Sequence, residues 1–416
     1  MPGAAPGVGL GVFAAGEVKK YLSTQRWPRR ASGFLEAQYD PASGGYRSVP
    51  GGAVTLYGTV YGLLTRHYLG EEVHVPPEVR RFLVGCQDPE TGYFIGPEIQ
   101  AWTAPPGAKH DREHLLLHLT CAALPAMQEF GMGPPQPLRF AHRFCDSSYL
   151  AEWLGRRDMT DAWLEGNNLL FVGQLLVHLR DIEGYQGASQ ALDQWFRWLD
   201  DTVDSATGLW GTRGVGCSPF VAMCGGYHQL LVYYHEARPI RSPERLVDTV
   251  LRLQHPDGGF SPAGGGGACE DVDAIDILVN VYKRFDYRRP DIRAALRRAT
   301  ATILGLQNGD GGFPYKRGIM QDHMGIPATR AAADMSTMFA TWFRVHTLAL
   351  IAQVLTDDTR LDVPFRFNRF LSMGWHTPWR REEHQVRAAA RFRELRPALR
   401  LRARSVKHRL RQQMGS

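Results

Sequence analysis

The amino-acid sequence predicts an all-α protein folded as an (α/α)6 barrel, a toroid of about six helical hairpins. Two observations lead to this prediction: a turn motif that recurs about every fifty residues, and an alternation between two kinds of helical segment. Segments of the first kind are apolar nearly all round, and such helices must be buried. Segments of the second kind carry charges at helical spacing and must lie at the surface. Inner helices alternating with outer helices close into such a barrel.

The turn motif combines Asp or Asn, small residues, Gly and an aromatic residue. Asp-Gly and Gly-Gly pairs favour tight turns, and the aromatic residue is expected to anchor each turn in the packed layer below. The motif occurs as DPASGGY (40–46), DPETGYF (88–94), DSATGLW (204–210), HPDGGF (255–260) and NGDGGF (308–313).

Six segments are predicted as inner helices because each starts polar and continues apolar or aromatic. Amphipathic segments such as PPEVRRFLVGCQ and IRAALRRATATILGLQ precede the turns and are predicted as outer helices. The third hairpin lacks a turn of the Gly-Gly-aromatic form, and it is counted from its inner helix. The inner segments are 51–68, 110–124, 165–179, 224–236, 269–284 and 334–355.

Composition and charge suggest three regions in the chain. Hydrophobic residues make up 44% and aromatic residues 11% of the sequence, which argues against disorder. We expect a flexible N-terminal segment (1–20), the toroid (21–375) and a basic, helical C-terminal tail (376–416). Residues 380–411 contain twelve Arg or Lys and three Glu, so the net charge of +6 comes from the tail. The rest of the chain is mildly acidic.

The tail also bears on partners and location. Its basic, partly amphipathic pattern fits an anionic membrane surface or an acidic partner, or simply a solvated terminus. No nucleic-acid recognition motif accompanies it, so no nucleic acid is expected. No apolar run approaches about 20 residues, the opening lacks a signal peptide, and the six scattered cysteines fit reduced thiols. We expect a cytoplasmic protein, with peripheral membrane association through the tail as an open alternative.

Polar residues cluster at the starts of the inner segments. In a parallel arrangement all six N-termini open on one face, so these side chains are expected to surround one cavity. Capping explains part of the cluster, because Asp, Asn, Ser and Glu favour helix N-termini. The residues are His110, Asp111, His114, Glu165, Asn167, Asn168, Tyr227, His228, Glu270, Asp271, Asp273, Asp334 and Ser336.

Four carboxylates crowd into the stretch GGGACEDVDAIDIL (265–278). Capping explains Glu270 and Asp271 but not Asp273 and Asp276, which lie a turn or more into a segment suited to burial. A buried carboxylate crowded by others has a raised pKa and keeps its proton near neutral pH. Such a group is a candidate Brønsted acid. The alternative is that Arg or Lys from a neighbouring helix neutralises the cluster.

The run from Asp271 to Ile275 and the later ILGLQNGDGGFPY resemble class II terpene cyclases of the squalene-hopene cyclase type. In that family an Asp-x-Asp-Asp motif opens an inner barrel helix, and Gln precedes Gly-Gly-aromatic turns. Gln254 and Gln307 precede such turns in this sequence, and the resemblance covers residues 250–320. The sequence departs from the family at Ala274, which replaces the last aspartate. It also predicts one barrel where the family usually has two helical domains.

The resemblance implies an enzyme that protonates an alkene or epoxide of a linear isoprenoid, without a cofactor in the acid step. The catalytic acid of the family falls on Asp273, beside Asp271. Asp276 is expected to tune this acid, and His228 or His114 to assist by hydrogen bonding. Mg²⁺ is implied only for a diphosphate substrate. Aromatic side chains are expected to guide the cation, and the candidate substrate contacts are Trp102, His114, Glu165, Asn168, Phe171, Tyr227, Glu270, Phe339 and Trp342.

Three alternatives stay open. The same toroid is used by protein prenyltransferase β subunits and lanthipeptide cyclases, which hold a catalytic zinc at the starts of the inner helices. A glycan-processing barrel would use Glu165 and Asp273 as acid and base. A binding toroid would perform no chemistry, although acids on a buried segment argue against it. Suitable zinc ligands at adjacent inner helices are Cys224, His228, Cys269 and Asp271.

Overall fold

The computed structural model describes residues 26–214 and 216–376. Within these residues the chain forms twelve α-helices and three short β-strands. The strands are β1 (Tyr39–Asp40), β2 (Gly45–Arg47) and β3 (Val54–Thr55), paired antiparallel in that order. The helices are α1 (Arg26–Gln38), α2 (Leu56–Tyr68), α3 (Pro77–Gly85), α4 (Arg112–Glu129), α5 (Ser147–Gly155), α6 (Ala162–Asp181), α7 (Ala188–Thr202), α8 (Pro219–His235), α9 (Pro243–Arg252), α10 (Ala268–Arg284), α11 (Arg289–Gly305) and α12 (Met338–Ala352).

The even-numbered helices form an inner ring and the odd-numbered helices lie outside it. In α8, 13 of 17 residues are buried, whereas in the outer helix α9 only 4 of 10 are buried. This difference follows from composition, because α9 carries a charged face and α8 does not. Neighbouring inner helices contact one another, and α12 contacts α2, which closes the ring. The predicted (α/α)6 barrel is therefore confirmed.

The third hairpin, which lacks the turn motif, is complete in the structure. Its outer helix is the short α5, which begins after Asp146. The Asp146 carboxylate accepts a hydrogen bond from the backbone N–H of Tyr149 at 2.7 Å, a standard N-cap. The hairpin therefore starts from a capping signal in place of a glycine turn.

All five recurring turns share a left-handed glycine and a buried aromatic residue two positions after it. One glycine in each turn has φ between 73° and 99°, a left-handed conformation that glycine adopts without strain. The aromatic residue that follows is buried in every turn, so the predicted anchoring is confirmed. The glycines are Gly44, Gly92, Gly208, Gly258 and Gly311, and the buried aromatic residues are Tyr46, Phe94, Trp210, Phe260 and Phe313.

Glutamines fasten three of these turns to the rest of the ring. The Gln307 side-chain amide donates to the carbonyl of Gly311 in its own turn and to the carbonyl of Trp27 in α1, both at 2.9 Å. Gln254 bridges its turn to Ala295 of α11 in the same way. Gln87, which the sequence reading did not single out, makes the equivalent pair of bonds. Gln307 thereby joins the last hairpin to the first.

The segment 363–376 closes the end of the barrel at which the inner helices finish. Its backbone N–H at Arg369 donates to the carboxylate of Glu129, the last residue of α4, at 2.9 Å. Its carbonyl at Gly374 accepts from the hydroxyl of Tyr68, the last residue of α2. Met373 reaches the central cavity from this side.

Several expectations concern residues outside the described part of the chain. The N-terminal segment 1–20 and the basic tail after residue 376 lie there, so their predicted flexibility, helicity and membrane or acidic partner stay predictions. The boundaries of the toroid at 21 and 375 likewise stay predictions. Within the described residues, no helix is both long and apolar enough to cross a membrane.

The glutamine clamps can be tested by removing one. Gln307→Ala leaves two carbonyl groups without their donor, so we expect a loss of about 1–3 kcal/mol in the free energy of unfolding. Denaturation by urea measures this loss. Gln190→Ala, at an exposed position of α7, is the matched control and should change stability by less than about 0.5 kcal/mol. Equal effects of the two substitutions would contradict the clamp.

Candidate functional site

A cavity of about 410 Å³ lies among the first three turns of the inner helices. This volume falls in the range of about 300–1,000 Å³ that is typical of small-molecule sites. Five inner helices supply its wall, together with the loop 316–336, here called the mouth loop, and Met373. Seven of the candidate residues named from the sequence line it: His110, His114, Asn167, His228, Cys269, Asp273 and Phe339.

Asp273 places a carboxyl group on the wall of this cavity. The residue is 1% exposed, and its Oδ2 atom has no hydrogen-bond partner among the described residues. Burial, and after it the nearby Glu270 carboxylate, raise the pKa of Asp273 well above its ordinary value. The group therefore keeps its proton at pH values where an exposed aspartate has lost it. Chemically, it is a candidate proton donor on the wall of the cavity.

Asp271 is withdrawn from the cavity by a buried ion pair. Its Oδ2 binds the guanidinium of Arg344 from α12, and its Oδ1 accepts from the backbone N–H of Phe260 at 2.7 Å. Arg344 is fully buried and also donates to the carbonyls of Gly266 at 2.7 Å and Tyr315 at 3.0 Å. A cation from a neighbouring helix thus neutralises Asp271, but it does not neutralise Asp273.

Asp276 and Glu270 also lie off the cavity wall. The Asp276 Oδ1 atom accepts from the side-chain amide of Asn280 at 3.0 Å, and burial raises its pKa to about 7. Glu270 caps α10, because its carboxylate accepts from the backbone N–H of Gly267, and burial raises its pKa. Of the four crowded carboxyl groups, only Asp273 lines the cavity.

His228 presents an uncharged imidazole to the same cavity. Its Nδ1 lies 2.7 Å from the carbonyl oxygen of Cys224. A carbonyl can only accept, so the proton lies on Nδ1 and Nε2 keeps its lone pair. Burial lowers the pKa of His228 to about 4, which keeps the ring neutral at physiological pH.

Three more histidines line the cavity, and two of them were missed at the sequence level. His110 was placed at the mouth by its position, whereas His118 and His323 were not considered. Burial lowers the pKa of His118 well below its ordinary value, that of His323 to about 3 and that of His110 to about 4. His118 follows His114 by four residues, a helical spacing that could have revealed it. His323 lies in the mouth loop, where no periodicity could have pointed to it.

Glu165 and Asn168 form a relay that orients His114. The Glu165 carboxylate accepts from the Arg157 guanidinium at 2.7 Å and from the Asn168 amide at 3.0 Å. The Asn168 oxygen therefore faces His114 Nδ1, 2.8 Å away, and must accept its proton. Glu165 does not line the central cavity, and Asn168 lines a smaller side cavity of about 120 Å³ next to it.

The aromatic part of the wall differs from the expected set. Phe339 lines the cavity as expected, joined by Phe343, Trp163 and Tyr315. These four aromatic rings and three methionines, Met320, Met324 and Met373, supply apolar surface to the wall.

Four other expected aromatic contacts lie behind the wall. Trp102 donates from its indole N–H to the carbonyl of Gly325 at 3.2 Å and so holds the mouth loop. The other three pack against neighbouring rings, with centroid distances of 4.5–5.6 Å. Phe171 packs on His114 and His118, Tyr227 on His228, and Trp342 on Tyr61.

The four candidate zinc ligands are not assembled as a metal site. Asp271 is bound to Arg344, and Cys224 is fully buried next to Asp273. Cys269 lies 3.5 Å from the Tyr315 hydroxyl and lines the cavity together with His228. Within 26–214 and 216–376, no three His, Cys, Asp or Glu side chains are grouped so that they could hold a metal ion.

Comparisons with known proteins do not assign the chain to a family. No protein-family model and no curated protein sequence matches it. Similar solved structures include a type II terpene cyclase from Scytonema in complex with its substrate geranylgeranyl dihydroxybenzoate (15% identity, 81% of this chain and 99% of that chain, TM-score 0.46). A polysaccharide lyase (13%, 82% and 98%, 0.46) and a family 88 glycosyl hydrolase from Bacteroides vulgatus (10%, 82% and 99%, 0.45) are similar to the same degree. Similarity at this level does not indicate which reaction, if any, this chain catalyses.

The ion pair between Arg344 and Asp271 gives a first test of the site. Arg344→Met leaves the Asp271 carboxylate buried without its cation, so we expect a loss of about 3–5 kcal/mol in the free energy of unfolding. The double variant Arg344→Met/Asp271→Asn removes the stranded charge and should recover part of that loss. Urea denaturation of both variants measures the difference. A loss below about 1 kcal/mol in the single variant would contradict the pairing.

Asp276 gives a second test through pH. Its folded-state pKa of about 7 lies above the unfolded value, so its stabilising effect is full below about pH 4 and is lost as pH rises through about 7. Asp276→Asn removes this loss and keeps the acceptor for Asn280. The melting temperature of the variant minus that of the native protein should therefore increase from about pH 5 to about pH 8. For Asp286→Asn, whose side chain is 93% exposed, the same difference should stay flat.

Proposed function

We propose that this protein is a class II terpene cyclase-like enzyme that starts the cyclisation of a linear isoprenoid by protonation. The observation that carries the proposal is the buried carboxyl of Asp273, which lies on the wall of a largely apolar cavity with one oxygen unpartnered among the described residues. Burial raises the pKa of this carboxyl well above its ordinary value. Asp271 is occupied by Arg344, and Ala274 is apolar, so Asp273 alone among the motif positions is available as the acid.

In the proposed reaction the O–H bond of Asp273 breaks as a C–H bond forms on the terminal alkene, or an O–H bond on an epoxide. The alkene carbon or epoxide C–O carbon that becomes positive is then attacked by a neighbouring double bond, and the ring closes. A proton finally leaves the last cation, and the aspartate is protonated again. An alkene route is therefore an isomerisation with no net change in atoms.

The wall suits a cationic intermediate. Phe339, Phe343 and Tyr315 lie along the cavity, and aromatic faces stabilise cations at short range. The histidines on the wall are neutral because burial lowers their pKa values, so they add no repelling charge. A neutral imidazole such as His228, with Nε2 unprotonated, can also accept the departing proton.

A glycan-processing reaction has less support from the geometry. That chemistry needs two carboxyl groups facing one substrate. Glu165, the expected partner of Asp273, is bound by Arg157 and Asn168 and does not line the cavity. Asp322, in the mouth loop, does line it, but its carboxylate is paired with Arg330 at 2.9 Å.

The acid assignment is tested with Asp273→Asn. An amide fills the same space but cannot donate a proton to carbon, so turnover of C15 to C30 polyprenyl substrates should fall at least about 100-fold. Circular dichroism and the melting temperature should show an intact fold. Asp276→Asn, one helical turn away and equally buried but off the wall, should lower turnover less than about tenfold.

The pH profile separates an acid from a merely structural aspartate. A general acid acts only in its protonated form, so kcat should be highest at low pH and fall as pH rises through the raised pKa of Asp273. An Asn variant that keeps native turnover would end the proposal. So would the absence of any cyclised product from the native protein with all substrates of this length range.

A further inference from the structure

The side cavity next to the main cavity is built as a small polar compartment. It has a volume of about 120 Å³ and shares Lys109, His114 and Leu164 with the wall of the main cavity. Trp153 and Asn168 complete its inner part. A ligand in the main cavity therefore has the polar groups of the side cavity within reach at one end.

His114 offers a hydrogen-bond acceptor at the boundary between the two cavities. Its Nδ1 donates to the Asn168 oxygen at 2.8 Å, an orientation enforced by Glu165 and Arg157. The ring is 5% exposed and burial lowers its pKa, so Nε2 keeps its lone pair. No hydrogen bond to Nε2 from another described residue occupies this acceptor. A group with an O–H fits it.

The cations at the side cavity are already paired. Lys109 binds Asp161 at 2.8 Å, and Arg157 binds Glu165 at 2.7 Å. Arg143, which reaches this region from outside, binds Glu113. Asp111 also lines the side cavity and has no cation among these three. The four carboxylates and three cations together carry one net negative charge. A diphosphate placed here would meet carboxylates and no free cation from these pairs.

We infer that the isoprenoid carries an uncharged hydroxyl head, which the side cavity binds with His114 Nε2 as acceptor, and that it does not carry a diphosphate. This inference rests on the proposed function and adds the substrate class to it. The head would lie in the side cavity, and the prenyl chain would run through the main cavity past Asp273.

Binding of matched ligands tests the inference without requiring turnover. Trp153 lines the side cavity and Trp163 the main cavity, so tryptophan fluorescence can report on both. Farnesol, farnesyl diphosphate with and without Mg²⁺, and the headless hydrocarbon farnesene share one chain length. We expect farnesol to bind at least about tenfold more tightly than either of the other two ligands. Only farnesol can donate a hydrogen bond to His114 Nε2 without placing a negatively charged group in the side cavity.

Variants assign the effect to named groups. His114→Leu should weaken binding of farnesol about tenfold relative to binding of farnesene, whereas His114→Gln, which retains an acceptor oxygen, should recover much of the loss. Glu113→Lys replaces a negative charge by a positive one at the half-exposed rim of the side cavity. It should strengthen binding of farnesyl diphosphate relative to binding of farnesol.

The outcomes separate this inference from the proposed function. Diphosphate binding as tight as farnesol binding, or equal binding of farnesol and farnesene, would overturn the hydroxyl head. Cyclisation of the diphosphate would overturn it as well, while upholding the role of Asp273. Tight farnesol binding without product from any isoprenoid would uphold the hydroxyl site and refute cyclisation.

Discussion

The buried ion pair between Arg344 and Asp271 gives one carboxylate of the acid cluster a charge partner and leaves Asp273 without one. Without a cation, two buried carboxyl groups two residues apart on α10 would both lack a charge partner, which is costly in a protein interior. Arg344 compensates one of them and also ties α12 to the turn before α10 through the carbonyl of Gly266. Asp273 is left as the uncompensated group, and it is the one that faces the cavity. The chemistry proposed for the site depends on this asymmetry.

The same separation of paired and unpaired groups recurs across the barrel. Glu165 has its charge matched by Arg157 and serves to orient His114 through Asn168. Burial lowers the pKa values of His114 and His228, so these two side chains offer hydrogen-bonding groups without charge. A cavity of this kind can hold a long apolar molecule with one polar end, and it can tolerate a cation formed by protonation. These properties come from pairing, since the residue types alone would suggest a charged site.

Much of the fold could be predicted because its signals are local. Turn geometry at Gly258 and Gly311 and the apolar content of the inner segments are properties of short stretches. Asp273 could be singled out for the same reason, since the sequence alone shows an acidic residue within an otherwise apolar segment. The partners of these groups could not be predicted. Arg344 lies more than seventy residues from Asp271, and His323 lies in a loop without periodicity.

The sequence by itself determined the alternation of buried and exposed helices, the five turns and the position of an acid at the start of the fifth inner helix. Only the tertiary structure decided which groups reach the cavity. Glu165, Asp271 and Trp102 were plausible site residues by position, yet each is turned to a structural partner. The physical reason is that charge pairing and ring closure act between segments far apart in the chain. Burial of a segment can be predicted from its local pattern of apolar residues. The partner of a buried charge depends on contacts that form only when the barrel closes.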